Sequence, residues 1–325
     1  MPRVKNGDRS QQVITPTNTN VIETNALTKR YGAIVAVDSL SLKVPKGGVF
    51  GLLGPNGSGK TTTMGMLLGL VKPSGGAFSL LGHEGASPDV LRRIGAIVET
   101  PSFYPYMSGR DNLRFFQGIS GKGSPKELDD LLKRVDLLPR ANSKFSTYSL
   151  GMKQRLGIAY ALLGDPELVF LDEPTNGLDP AGVAEVRGFI SELGSGGRTV
   201  ILSSHILHEV EIVCESLAIL VKGHLIAQGR VQDLLRNREA IRLKTTNDVM
   251  AAQVLAGQTW IGEVAADGGG MVAKASLSRA WEVSKLLADA HIYIHEMMPV
   301  KVSLEEYFLE VTGDGNSAAA PEVRT

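Results

Sequence analysis

Two stretches of this sequence carry residue types at spacings that could do chemistry. The first is Gly54-Pro55-Asn56-Gly57-Ser58-Gly59-Lys60-Thr61-Thr62. Glycines at these positions permit backbone conformations closed to other residues, so that successive N–H groups can converge on one anion. Lys60 can reach the β- and γ-phosphates of a nucleotide, and the Thr61 hydroxyl can be offered to Mg²⁺. The second is the carboxylate pair Asp172-Glu173, which follows the apolar run Leu168-Val169-Phe170-Leu171. Asp172 is placed to hold Mg²⁺, directly or through water, and Glu173 to polarise an attacking water. Together they predict a chain that binds a nucleoside triphosphate and hydrolyses it.

The elements around these residues decide whether the spacing means anything. Val49-Phe50-Gly51-Leu52-Leu53 is short and apolar, as a buried strand should be. Residues 61–70 carry Met64, Met66, Leu67, Leu68 and Leu70 and read as an apolar helix. Strand, glycine loop and helix is the context that makes G-x-x-x-x-G-K-[ST] a phosphate site. The free N–H groups and partial positive charge of the helix N-terminus also favour an anion.

Upstream, residues 1–20 are polar and read as a disordered tail, and 21–42 are strand-like. Ile94-Gly95-Ala96-Ile97-Val98 is another apolar run, ending at Glu99. From about 108 to 163 the pattern turns helical, with Ser124-Pro125-Lys126-Glu127 as a capping box before Leu128, Leu131, Leu132 and Val135. Strand and helix patterns then alternate: a helix over 181–193, a strand over 199–203, and a hairpin about Lys222-Gly223. This alternation predicts an α/β domain over 21–236 with a largely parallel sheet and a helical subdomain inserted. Over 237–312 the order strand, helix, two strands about Asp267-Gly268-Gly269-Gly270, helix, strand, helix predicts a small α+β module of split βαββαβ type. Residues 313–325 read as a second disordered tail.

Composition bounds the function. Lys plus Arg and Asp plus Glu number 34 each among 325 residues, so no basic excess points to nucleic acid. The single cysteine, Cys214, excludes an internal disulfide framework and fits a reducing compartment, as a buried structural thiol. No segment approaches the roughly 18 apolar residues of a membrane span, and residues 1–8 lack the apolar core of a signal peptide. These features predict a cytosolic protein, held by something else if it works at a membrane.

Tyr148-Ser149-Leu150-Gly151-Met152-Lys153-Gln154-Arg155 lies just upstream of the acidic strand, where the ATP-binding cassette family carries its signature Leu-Ser-Gly-Gly-Gln. Over residues 21–229 the chain resembles that family. The resemblance implies a P-loop cassette that binds ATP and Mg²⁺, with Tyr31 stacking on adenine and His205 contacting the γ-phosphate. It further implies that Ser149 and Gly151 meet a partner's γ-phosphate, that Gly177-Leu178-Asp179 link the two sites of a dimer, and that Glu99 contacts the metal. Two departures stand out: Leu150 and Met152 replace the usual Gly and Gln, and Glu99 replaces a Gln. A carboxylate is the stronger ligand for a hard cation, so metal contact is expected to persist. Glu99 and the C-terminal module resemble the ATPases of bacitracin- and lantibiotic-resistance exporters. The implied assembly is a dimer, homodimeric by expectation with a heterodimer as the alternative, on a polytopic permease at the inner face of the membrane. Phe103, Tyr104 and Tyr106 are candidates for the contact with a coupling helix of the permease, or ordinary core and surface aromatics.

The alternative is a soluble cassette ATPase acting on ribosomes or DNA; a single cassette, no heptad stretch and no basic excess disfavour it. His291 and His295 share one side of an extended segment but lack a visible third metal ligand. His208 lies three residues from His205 and needs no separate role. Arg92-Arg93 reads as a solvated charge pair, and Trp260 and Trp281 as core of the C-terminal module.

Overall fold

The computed structural model describes residues 20–99, 101–236, 239–300 and 303–312. Both expected tails lie outside these residues except for Asn20, the first residue of a strand. The chain opens with β1 (Asn20–Tyr31), β2 (Ile34–Leu40), β3 (Lys43–Pro45) and β4 (Gly48–Leu53), and the glycine loop then leads into α1 (Lys60–Leu67). Next come β5 (Gly75–Leu80), β6 (His83–Glu84), α2 (Pro88–Arg92) and β7 (Ile94–Ile97). The inserted helical block holds α3 (Gly109–Ser120), α4 (Glu127–Arg134) and α5 (Leu150–Ala161). The α/β pattern resumes with β8 (Leu168–Asp172), α6 (Pro180–Ser195), β9 (Thr199–Ser204), α7 (Leu207–Val213), β10 (Ser216–Val221), β11 (His224–Arg230) and α8 (Val231–Arg236). Beyond it lie β12 (Ala240–Thr245), α9 (Asp248–Ala256), β13 (Val264–Asp267), β14 (Gly270–Lys274), α10 (Ala280–Asp289), β15 (Ile294–Val300) and α11 (Leu304–Thr312).

The central sheet has the order β11-β10-β4-β9-β8-β7, parallel throughout except for β11. Every residue of β4, β8 and β9 is buried, as expected of strands covered on both faces, whereas β11 alternates at the edge. A second, antiparallel sheet, β2-β1-β5-β6 with β3 on β1, packs over one face. Between the two sheets sit Phe50, Leu52, Phe170 and Ile201, together with Met64, Met66 and Leu67 of α1. Helix α1 is therefore fixed by burial of Thr63 to Leu67. It ends earlier than the sequence pattern suggests: Gly69 takes φ 72°, which turns the chain and leaves Leu70 exposed.

The other face of the sheet is covered by α5, α6 and α7 and joins the core of the helical block in one cluster. The expected capping box forms only its reciprocal half. The Ser124 N–H donates to Glu127 Oε2 at 3.0 Å, but α4 starts at Glu127 because Pro125 and Lys126 form a turn. Arg93 is solvated, as expected, but it is also paired: Nε and Nη2 donate to both oxygens of Glu167, at 2.6 and 3.0 Å, clasping the N-terminal ends of β7 and β8.

The C-terminal module forms a four-stranded antiparallel sheet, β13-β14-β12-β15, with α9 and α10 over a core that includes Ile241, Leu243, Leu255, Met271, Val283 and Leu287. Trp260 packs against this core under the Arg279 guanidinium, 3.8 Å from its ring. Trp281 does not: it is 66% exposed, because two residues of helix rotate it about 200° away from the buried Val283. Helix α11, grouped by sequence with the module, packs on the cassette, where Leu304 and Tyr307 enter the core beside Val210, Cys214 and Val231. The Leu304 N–H donates to Glu211 Oε2 of α7 at 3.0 Å, so the last helix returns to the element that follows His205.

Candidate functional site

The glycine loop connects β4 to α1 in a conformation that only glycine can supply at two of its corners. Gly54 has φ 152°, and a Cβ there would lie 2.1 Å from the Leu220 carbonyl oxygen and 2.5 Å from Ser58 Oγ. Gly59 has φ 101°, and its Cβ would lie 2.6 Å from the Ala36 carbonyl oxygen of β2. Pro55, Asn56 and Gly57 are exposed at the tip, and Ser58 is buried, its Oγ without a hydrogen-bond partner among the described residues. An orphaned hydroxyl beside free N–H groups at a helix N-terminus suits a phosphate oxygen. Thr62, the third residue of the helix, is half-buried.

Lys60 is buried at 6% exposure and extends back over its own loop. Its Nζ donates to the carbonyls of Gly54 at 2.8 Å and Pro55 at 3.4 Å, and lies 3.4 Å from Glu173 Oε1. Thr61 Oγ1 donates to Asp172 Oδ2 at 2.9 Å. Parallel pairing of β4 with β9 and of β9 with β8 brings residues separated by more than a hundred positions to one sheet end. Glu173 follows directly, with φ 47°, and its Oε2 is 2.8 Å from His205 Nδ1. Lys60, Thr61, Asp172, Glu173 and His205 thus form one contiguous cluster at the carboxyl end of the sheet, where open α/β sheets bind ligands.

Glu99 reaches the same sheet end by a different route. Ile97 pairs with Leu171, so Glu99 and Glu173 each lie two residues past that pair, and Glu99 turns outward with φ 64°. It lines a cavity of about 270 Å³ with Phe103, Phe116, Gly157 and Tyr160. Tyr104 stacks on Phe116 with centroids 6.0 Å apart, while Tyr106 projects from the surface at 68% exposure. Tyr31 stands at the tip of the β1–β2 hairpin, half exposed, with the Lys29 ammonium 4.8 Å from its ring centroid.

The signature residues are elsewhere. Ser149 caps α5, its Oγ accepting from the Met152 N–H at 3.2 Å, and Asp179 caps α6, its Oδ1 accepting from the Gly182 N–H at 2.9 Å. Ser149, Gly151 and Asp179 share a cleft of about 410 Å³ with Arg155, Leu178 and Glu185. Leu150 packs beside Gly177, where a Cβ would lie 3.3 Å from Leu150 Cδ2. None of Lys60, Thr61, Asp172, Glu173 and His205 lines that cleft. Cys214 is buried, and that burial raises its thiol pKa far above the usual value.

Sequence reading missed Ser203, which β9 sets opposite Asp172. Its Oγ bonds Asp172 Oδ1 and accepts the Glu173 N–H at 2.9 Å. The available signal was a hydroxyl at the end of an apolar strand, which only the strand pairing connects to the acidic residues.

Fold and site together define a P-loop nucleotide hydrolase. A family model described as ABC transporter matches residues 37–176, and one for an AAA domain matches 144–211. The bacitracin transport ATP-binding protein BcrA of Enterococcus faecalis is 36% identical over 302 residues, covering 92% of this chain and 98% of that protein. A fluoroquinolones export ATP-binding protein of Mycobacterium tuberculosis is 35% identical, covering 91% and 94%. A solved ATP binding subunit of an ABC transporter superposes with a TM-score of 0.60 at 32% identity, over 66% of this chain and 92% of that one. The cbiO1 subunit from Clostridium perfringens gives 0.61 at 26% identity, over 68% and 92%. The chain belongs to the ATP-binding subunits of the ABC transporter family; it binds ATP and is an ATPase. No helix among the described residues is long and apolar enough to cross a membrane.

Proposed function

We propose that this chain energises an exporter, working as a homodimer on a separately encoded polytopic permease at the cytoplasmic face of the membrane. Amphipathic antibiotics are the proposed cargo class, because the relatives that share most of the chain's length are named for bacitracin transport and fluoroquinolone export. The observation that carries the proposal is the division of the site. Phosphate loop, carboxylate pair and His205 converge at one place, while Ser149 and Gly151 lie in a cleft of their own and need a second cassette's nucleotide to act on.

In this reading residues 54–62 cradle the phosphates through backbone N–H groups, with Ser58 Oγ as a further donor and Lys60 released from its carbonyls to the β- and γ-phosphates. Tyr31 stacks on adenine. Thr61 and Asp172, two hard oxygen donors 2.9 Å apart with one anionic, fit Mg²⁺, and Glu99, past the end of the neighbouring strand, would offer a further carboxylate. When bound, the metal neutralises charge developing on the phosphates. Glu173 accepts the proton of the attacking water as its oxygen bonds to the γ-phosphorus and the bond to ADP breaks. His205, hydrogen-bonded to Glu173, holds that carboxylate in line and reports on the γ-phosphate. Asp179 and its loop relay the state of one site to the other. The aromatic cavity beside Glu99 takes the permease's coupling helix, so closure of the dimer around ATP moves the permease.

The test is a pull-down of tagged Glu173→Gln protein with ATP from detergent-solubilised host membranes, with partners identified by mass spectrometry. A polytopic permease at near-equal amount is expected. Ribosomal or DNA-associated proteins without a permease would overturn the reading.

A further inference from the structure

Ser203 is fully buried in β9, directly opposite Asp172 in the strand register. It has one hydroxyl proton, and its surroundings dictate where that proton goes. The Glu173 N–H points at Oγ from 2.9 Å, so Oγ is the acceptor there and must donate to Asp172 Oδ1. Thr61 Oγ1 donates to Asp172 Oδ2. Each oxygen of the Asp172 carboxylate therefore carries one hydroxyl donor, one from α1 and one from β9. Thr61 is exposed and free to exchange its bond for a metal, whereas Ser203 is sealed in the sheet and cannot leave.

The same hydroxyl also steadies Glu173. That residue has φ 47°, a conformation few non-glycine residues adopt, and its N–H is shared between the carbonyl oxygen and Oγ of Ser203. A strained backbone persists only where its surroundings over-determine it. Here Ser203 holds the Glu173 N–H, the Asn176 N–H donates to the Glu173 carbonyl, and Lys60 and His205 flank its carboxylate.

We infer that Ser203 is a positioning residue for ATP hydrolysis: its hydroxyl fixes the Asp172 carboxylate plane for the metal and, beside its own carbonyl oxygen, gives the Glu173 N–H a second acceptor. It touches neither nucleotide nor metal. Its hydrogen bond to a carboxylate belongs to the stronger, charge-assisted class, and losing it frees the carboxylate to rotate away from its binding rotamer. Losses of such bonds correspond to roughly tenfold to hundredfold effects. The inference rests on Asp172 and Glu173 acting as proposed above, so the experiment tests both levels separately.

Full-length Ser203→Val, Ser203→Thr and Asp172→Asn proteins are compared with wild type in two measurements. One is binding of a fluorescent ATP analogue in EDTA; the other is Mn²⁺ affinity of the nucleotide complex by electron paramagnetic resonance. Ser203→Val is expected to weaken Mn²⁺ binding about tenfold while leaving metal-free nucleotide binding within twofold, and Ser203→Thr to restore Mn²⁺ affinity. A merely structural serine would lower the melting temperature of the Val variant without moving the metal affinity, and that result overturns the inference. If Asp172→Asn also leaves Mn²⁺ affinity unchanged, the assignment of the metal site itself is wrong. If Asp172→Asn abolishes Mn²⁺ binding and Ser203→Val has no effect, only the positioning role fails.

Discussion

Replacing Glu173 with Gln separates two jobs of one carboxylate. In the structure Glu173 Oε1 lies 3.4 Å from Lys60 Nζ, and Oε2 lies 2.8 Å from His205 Nδ1. The attraction to Lys60 at that distance has a ceiling of about 5 kcal/mol at an effective dielectric of ~20. Desolvation offsets most of it, and an exposed pair retains no more than about 1 kcal/mol. Glu173 is 20% exposed and Lys60 6%, between those limits, so the pair holds Lys60 back from phosphate by on the order of 1–2 kcal/mol. Glutamine keeps the shape and can still pair with His205, but releases the lysine. ATP should therefore bind about tenfold more tightly. Removing the general base should at the same time slow hydrolysis by about 10²–10⁴-fold. Isothermal titration with ATP and a phosphate-release assay read the two effects independently. Turnover within about tenfold of wild type would refute the base assignment. Slow turnover with unchanged ATP affinity would leave the base in place and refute the competition for Lys60.

Three further outcomes follow from the packing. Tyr307→Ala should remove α11's main anchor in the cassette core and cost about 3 kcal/mol, seen as a lower urea midpoint; an unchanged midpoint would mean that α11 is not held on α7. Gly95→Ala would place a Cβ 1.7 Å from the Ala161 carbonyl oxygen, forcing β7 away from α5, and should destabilise by at least about 1–3 kcal/mol; a melting temperature equal to wild type would contradict that close approach. The hydrogen bond and charge of Arg93 hold the Glu167 carboxyl below its usual pKa, so this pair stabilises the fold above the unfolded carboxylate range and stops doing so as pH falls through the depressed folded value. Because both side chains are well exposed, the effect is under about 1 kcal/mol; the stability gap between wild type and Glu167→Gln should close on acidification, and a gap independent of pH would exclude the pair as its source.

The residues 54–62, Asp172 and Glu173 announced their chemistry in sequence because phosphate binding imposes a fixed local order: buried strand, glycine corners, lysine and hydroxyl at a helix start. The βαββαβ order of the module was also legible, since each hydrophobic period and turn is written within about ten residues. What joins distant stretches was not. Ser203 looks like any polar residue at a strand end until β9 lies beside β8 and sets it opposite Asp172. Leu304 and Tyr307 have the periodicity of a helix core in any domain, and only tertiary packing sends them to Val210 and Cys214 of the cassette instead of the module. Arg93 reads only as a solvated charge, and its partner appears once parallel pairing of β7 and β8 brings Glu167 to it. Periodicity fixes which face of an element is apolar, but the partner that covers that face is chosen by packing across the whole chain. The sequence by itself determined the chemistry this protein can perform on a nucleotide; the tertiary structure decided which buried hydroxyl orients that chemistry and which helix closes over the segment after His205.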